Sequence, residues 1–263
     1  MARICSLCSG SSGNCTYIEC GGAAVLIDAG ASARSICRSL DGIGSEIGKV
    51  AGIFVTHEHS DHIRGLDTLV SKYKIPVFAN KGTIRGILSA CRKLGEEDLI
   101  ELQTGDGVEI GGMFVSSFET SHDSNESVGY RVHTCDGRAV GVATDLGYVS
   151  ETVMQNLLGC KAVVLESNHD VGMLTSGSYP YYLKRRILSD RGHLSNTDCA
   201  SALPELLENG TTHFLLAHLS KENNLPELAV QTSVSELTVC GVSPEDYRLE
   251  AAPRFEPSGV YTL

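Results

Sequence analysis

The feature that most constrains this chain is the run Thr56-His57-Glu58-His59-Ser60-Asp61-His62. It follows the apolar segment Val50-Ala-Gly-Ile-Phe-Val55, and a helical pattern over 62–74 begins where it ends. In an extended backbone, side chains two positions apart share a side, so His57 and His59 point together. Asp61 and His62 can turn toward a second centre as the chain bends into the helix. Three imidazoles and a carboxylate at this spacing form a mixed nitrogen and oxygen set suited to zinc, manganese or iron. Packed as ordinary core, several of these rings would lack hydrogen-bond partners.

The surrounding pattern alternates short apolar runs with helical segments. Ala23–Asp28 and Val50–Thr56 read as buried strands that end in polar residues, and 62–74 and 81–94 read as helices. Between Leu99 and Gly141, alternating runs and glycine turns predict antiparallel hairpins. A second phase follows, with a strand over 139–144 leading into Asp145, a helix at 149–158, a strand at 162–166, helices near 180–190 and 196–208, a strand at 213–217 and a helix near 226–239. Strands followed by helices in both halves predict an α/β chain of two sheets packed face to face with helices outside. We read it as one domain, 1–263, built of two similar halves (about 1–130 and 131–263), with functional residues at the C-terminal ends of strands.

Composition narrows the partners. At 42% hydrophobic and 20% charged residues the chain is globular rather than disordered. No apolar run reaches the length of a membrane span, and the first residues lack the basic start and apolar stretch of a signal peptide, so a cytoplasmic location is expected. The ten scattered cysteines are expected to be reduced thiols, with Cys5 and Cys8 as two small residues on a first strand. A formal charge of −11 opposes capture of a polyanion by the molecule as a whole, so any nucleic-acid function must rest on a local site. With 6% aromatics and no Trp, no aromatic array for stacking single strands is expected.

The histidine run resembles the H-x-H-x-D-H signature of the metallo-β-lactamase superfamily. Its companion motifs occur in order: Asp28 at a strand end, His122 in Thr120-Ser-His-Asp123, Asp145 in Ala143-Thr-Asp-Leu146, and His218 in Ala217-His-Leu-Ser220. The resemblance implies a four-layer αββα sandwich (the metallo-β-lactamase fold) with two divalent metal ions. By that mapping His57, His59 and His122 hold one ion, Asp61, His62 and His218 hold the other, Asp145 bridges them, and Asp28 orients a ligand. Taken singly, His122, His218 and Asp145 would pass for ordinary residues. Two dications in so few carboxylates leave a net positive centre that attracts phosphate, and a water held there should ionise near neutral pH, so hydrolysis is the implied chemistry.

The ligands alone leave the electrophile open. Asp145 stands where classical β-lactamases have Cys, and His59 where the diiron flavoprotein branch has Glu. The segments Cys8-Ser-Gly-Ser-Ser-Gly-Asn14, Leu165-Glu-Ser-Asn-His-Asp170, Tyr179-Pro180, Leu183-Lys-Arg-Arg-Ile187, Gly192-His-Leu-Ser-Asn196 and Leu216-Ala-His-Leu-Ser-Lys-Glu-Asn-Asn224 closely resemble the YycJ/WalJ branch, which is similar to tRNase Z and RNase J. The one departure is Ser127, where Pro is expected. That resemblance implies a nuclease, a 5'-to-3' exonuclease acting on DNA. Only 73 positions separate Asp145 from His218, too few for a large inserted β-CASP domain.

For phosphodiester hydrolysis, Asp61 serves catalysis as well as metal binding. His193, oriented by Glu166, is the candidate for contacting the scissile phosphate and protonating the leaving group. The plainer reading makes His193 a bystander before a helix capped by Ser195 or Asn196. Ser11, Ser12 and Asn14 in a glycine-flanked loop, His169, Ser220 and Lys221 are candidate substrate contacts, and Lys184-Arg-Arg186 is either a backbone-holding cluster or a solvated helix face. Two rivals share the ligand set: a small-molecule metallo-hydrolase (thioesterase, lactonase or cyclic-phosphate diesterase) and a regulatory protein on the same fold.

Overall fold

A computed structural model describes residues 1–263. The first sheet contains β1 (Arg3–Cys8), β2 (Cys15–Cys20), β3 (Ala23–Ile27), β4 (Val50–Phe54), β5 (Val77–Ala79) and β6 (Leu99–Glu101). The helices α1 (Ala33–Gly42), α2 (Ser60–Ile63), α3 (Leu66–Tyr73) and α4 (Lys81–Ala90) lie between its parallel strands in sequence. The second sheet contains β7 (Gly107–Ile110), β8 (Met113–Glu119), β9 (Val128–His133), β10 (Ala139–Ala143), β11 (Ala162–Glu166), β12 (His213–Ala217) and β13 (Arg248–Ala251). With it come α5 (Glu151–Leu157), α6 (Val171–Ser176), α7 (Tyr181–Ile187), α8 (Asn196–Glu208) and α9 (Pro226–Val239). The last strand, β14 (Tyr261–Thr262), returns to the first sheet beside β1.

Each sheet runs in chain order from an antiparallel portion to a parallel one: β1-β2-β3 then β3-β4-β5-β6, and β7-β8-β9-β10 then β10-β11-β12-β13. The chain passes from one sheet to the other between Glu101 and Gly107, earlier than a division near residue 130.

Three apolar interfaces define four layers. Along β3, Ala24 and Leu26 face the helices while Val25 and Ile27 face the opposite sheet. Both faces are therefore buried, which is why the strand reads as a continuous apolar run rather than an alternating one. Phe54, Phe78, Val115, Tyr130, Val142 and Val164 fill the space between the sheets. Leu157, Leu165, Leu203, Leu216 and Leu237 seal the second sheet against α5, α8 and α9. The expected αββα sandwich is the fold. No helix is long and apolar enough to cross a membrane.

Several boundaries differ from expectation for local reasons. The helix expected over 62–74 is two helices. Gly65 separates them, its N–H donating to Ala29 O at 2.7 Å, and a Cβ there would lie 2.5 Å from Ala31 O. The helix expected to reach 94 stops at Ala90, because the Asp67 carboxylate takes the amides of Arg92 and Lys93. Ser195 does cap α8, accepting from Asp198 N.

The cysteine expectation is corrected at one place. Cys20, at the end of β2, is disulfide-bonded to Cys135 in the β9–β10 turn, and the other eight are free. The partners are 115 residues apart, and only the stacking of the two sheets brings them together.

A buried amide pair ties the second sheet to its helices. The two amide protons of Asn224 are shared among Ser167 O, Asn168 O and Asn196 Oδ1, all within 3.0 Å of Nδ2, and its Oδ1 accepts from Asn196 Nδ2 and Leu225 N. Replacing Asn224 with Leu strands those groups without water, so chemical denaturation should show a loss of about 2–3 kcal/mol. An unchanged midpoint would mean the network adds nothing.

Candidate metal centre

The site forms where strand ends of both sheets converge. Asp28 follows β3, the histidine run follows β4, His122 follows β8, Asp145 follows β10, Glu166 ends β11 and His218 follows β12. Asp28, Asp145 and His218 all have left-handed backbone, with φ of 65°, 58° and 54°. A non-glycine residue held there costs energy, and such strain persists where the surroundings fix it, commonly at functional sites. The turn after β3 is close-packed: a Cβ on Gly30 would lie 1.6 Å from Asp61 O, so only glycine permits that approach.

Two clusters of donor atoms share this space. Nitrogens of His57, His59 and His122 lie within 4.8 Å of one another, as do donors of Asp61, His62 and His218, and Asp145 lies within that reach of both His57 and His62. Asp145 Oδ2 is 3.2 Å from His62 Nε2, while its Oδ1 is 3.3 Å from His218 Nδ1 and 3.8 Å from His122 Nε2. The Nε2 atoms of His57, His122 and His218, together with Asp145 Oδ2, are buried without a hydrogen-bond partner. Buried polar atoms are rarely left so, and this donor set fits divalent cations.

The other ring nitrogens are anchored. His62 Nδ1 lies 2.7 Å from Asp28 Oδ2, His122 Nδ1 3.0 Å from Gly192 O, and His218 Nδ1 2.7 Å from Glu166 Oε1. A neutral imidazole that donates from Nδ1 presents its lone pair at Nε2, so each anchor aims the lone pair inward. The Thr56 hydroxyl joins His57 Nδ1 (3.0 Å) to Asp28 Oδ2 (2.9 Å), and the Thr56 amide also donates to Asp28. Thus one buried carboxylate steadies two rings.

Burial holds His57 well below the ordinary imidazole value, with His62 adding to the effect, and burial also lowers His122. Burial opposes charge on His62 and His218 too, but carboxylates prevail: Asp28 and Asp145 raise His62 well above its usual range, and Asp145, Asp61 and Glu166 bring His218 to about 10. In the metal-free protein the carboxylates thus favour the protonated form of these rings, that of His218 above all. Metal binding must expel those protons, so affinity should rise with pH, with about one proton or more released on loading at pH 7.5. Calorimetric titrations in buffers of different ionisation heat would measure this; identical heats would refute it.

Glu166 is wholly buried and serves two rings at once, with Oε1 2.8 Å from His193 Nδ1 and 2.7 Å from His218 Nδ1. Its Oε2 accepts from the amides of Leu146 and Leu194. His193 keeps part of its ring exposed at the cleft, near Asp145.

The candidate substrate contacts divide. Ser11 and Ser220 line the cleft with His59, Asp61, His193 and His218. Asn14 lies beneath it, accepting from Gly10 N and standing 3.1 Å from His62 Nε2. Ser12 turns to a separate hollow with Arg64 and Arg254. His169 is buried away from the cleft lining with both ring nitrogens unpartnered, and Lys221 extends into solvent. Ser127, found where Pro was expected, pairs its hydroxyl with Thr120 at 2.7 Å and braces the His122 loop. Sequence reasoning missed Thr56, the Gly192 carbonyl, Asn168 at the cleft, and the ion pair of Arg186 with Asp123 beside His122. Thr56 had a signal as a hydroxyl next to the histidine run, and Asn168, Gly192 and Arg186 lay within segments that carry the family resemblance, without the roles seen here.

Residues 23–218 match the model of the beta-lactamase superfamily domain. The exodeoxyribonuclease YycJ of Bacillus anthracis is 42% identical over 231 residues, 88% of this chain and 87% of its own length. The exodeoxyribonuclease WalJ of Streptococcus pneumoniae serotype 2 is 40% identical over 234 residues, covering 88% and 86%. Among solved structures, the metallo-beta-lactamase fold protein YhfI from Bacillus subtilis superposes with a TM-score of 0.73 over 99% of both chains at 13% identity, a likeness of fold. The chain belongs to the metallo-β-lactamase superfamily, in its YycJ/WalJ branch. It is a hydrolase of that fold, with His and Asp groups capable of binding metal.

Proposed function

We propose that this chain is a metal-dependent exodeoxyribonuclease that removes nucleotides from DNA in the 5'-to-3' direction. The observation that carries the reading is the pair of adjacent donor clusters with inward, unpartnered nitrogens, meeting at Asp145 beside a cleft that holds His193. Identity of 40–42% to proteins named exodeoxyribonucleases supports DNA as the substrate class. His57, His59 and His122 would hold one divalent ion, Asp61, His62 and His218 a second, with Asp145 between them and zinc, manganese or iron as candidates. Bound there, the ions supply electrophilic charge for the phosphate oxygens and a water acidic enough to lose its proton near neutral pH.

The chain's own residues do the rest. Asp28 and Thr56 keep His57 and His62 in register. His193, held at Nδ1 by Glu166, presents Nε2 to the cleft, where it can give a proton to the departing 3' oxygen. Ser11 and Ser220 offer hydroxyls to the phosphate. We further read the molecule as a single domain and as cytoplasmic.

The test is incubation of metal-loaded protein with end-labelled duplex DNA and RNA, beside a His59→Ala control. Shortening of DNA from its 5' end is expected. Inert nucleic acids, with a thioester or lactone hydrolysed instead, would overturn the reading. In the same assay His193→Ala should lower turnover by about 10²- to 10⁴-fold while metal content stays unchanged; loss of metal would show that His193 is a ligand.

A further inference from the structure

The short helix α7 borders the cleft with one side and faces solvent with the other. Leu183, Arg186 and Ile187, with Tyr179 just before the helix, line the cleft opposite His193 and His218. On the outer side, Tyr181 and Tyr182 are 76% and 74% exposed, and they are the only sequence-adjacent pair among the large exposed hydrophobic residues. Burial explains neither ring. In a chain with 6% aromatics and no Trp, two bare neighbouring rings on a helix that borders the cleft need a different account.

The three basic residues of this helix have separate fates. Lys184 donates from Nζ to Thr175 O and Gly177 O at 2.8 and 2.6 Å, so it fastens α7 to the end of α6. Arg185 places its guanidinium 6.0 Å from the centre of the Tyr181 ring. Arg186 forks onto Asp123 through Nε and Nη2, leaving Nη1 free for a further acceptor. Residues four apart are neighbours on a helix surface, and Arg185 accordingly lies beside the Tyr181 ring, whereas the Arg186 guanidinium is turned to Asp123 at the cleft edge. Two bare rings, one with a cation beside it, and a second cation at the cleft edge therefore share this short helix, in a molecule whose formal charge is −11.

Exposed ring faces beside cations match one chemistry: unpaired bases linked by phosphates. A duplex offers phosphates but hides its base faces, whereas a single strand offers both. We propose that α7 is a platform for single-stranded DNA, with Tyr181 and Tyr182 stacking successive unpaired bases and Arg185 and Arg186 countering the phosphates between them, so that a strand end is led into the cleft. This rests on the nuclease reading.

The test is fluorescence anisotropy of a labelled ten-nucleotide oligothymidine and of a blunt duplex, using metal-loaded protein whose fold is checked by melting temperature. The double variant Tyr181→Ala/Tyr182→Ala should weaken single-strand binding about tenfold or more while duplex binding barely changes. Tyr181→Phe/Tyr182→Phe should retain affinity, and Arg185→Ala should reduce the single-strand salt slope by about 0.7. Unchanged single-strand affinity in the alanine variant, equal loss for strand and duplex, or failure of the phenylalanine variant would each overturn the platform. Wild-type hydrolysis of bis(p-nitrophenyl) phosphate, too small to span α7 and the cleft together, tests the phosphodiesterase reading separately: its absence would fault that reading, and the anisotropy would still report on α7.

Discussion

Replacing Asp145 with Ala is expected to empty at least one metal position and to lower turnover by about 10³-fold or more. Asp145 is the carboxylate common to both clusters, with Oδ2 3.2 Å from His62 Nε2 and Oδ1 3.3 Å from His218 Nδ1. Burial alone would raise its pKa, but His218 and His62 hold it well below the carboxylate range. It therefore stays charged and offsets positive charge that would otherwise be crowded into a dry site. Asp145→Asn separates charge from shape: it keeps the volume and one acceptor, so retention of metal with Asn but not Ala would point to geometry over charge. Emission spectrometry beside the DNA assay makes the measurement. Two ions per chain and wild-type turnover in the alanine variant would overturn the central role.

Glu166→Ala should be the most damaging single change to the metal-free fold. Its carboxylate has four partners, the rings of His193 and His218 and the amides of Leu146 and Leu194, all at a fully buried position. Removing it leaves these donors without water, at a cost of about 3–5 kcal/mol, or roughly 10 °C of melting temperature in a chain of this size. The pH dependence follows from the same group. Burial would raise its pKa, yet His193 and His218 bring it to about 2, below its unfolded value near 4.3. A depressed carboxylate stabilises fully above the unfolded value and loses that contribution as pH falls through the folded one. Wild-type stability should therefore drop on the order of 3 kcal/mol between about pH 4.5 and 2, and the alanine variant should lack that part of the drop. Melts of chelator-treated protein across this range would show it; parallel curves would refute it.

Much of this was legible locally. The run from His57 to His62 carries its own geometry, because strand periodicity and an imminent helix start fix which side chains share a side. The strands at 162–166 and 213–217 and the helices at 196–208 and 226–239 have the bounds read from their apolar spacing. The broken helix at Gly65 and the early stop at Ala90 were not legible, since their causes are Ala29, Ala31 and Asp67, groups remote in sequence or facing across a turn.

The sequence by itself determined the layering, the strand ends and the residue types that gather there, because apolar periodicity and donor chemistry are properties of short segments. Tertiary structure alone decided how those residues share partners. Glu166 reaches Leu146 and His218 because β11 lies between β10 and β12, and it reaches His193 because the loop before α8 folds back over the end of β11. The stacking of the two sheets joined Cys20 to Cys135, and the packing of α7 at the cleft turned a basic run into one structural lysine, one arginine beside an exposed tyrosine and one arginine paired with Asp123. Periodicity reports which face is buried; which partner waits there depends on strand order, a property of the whole chain.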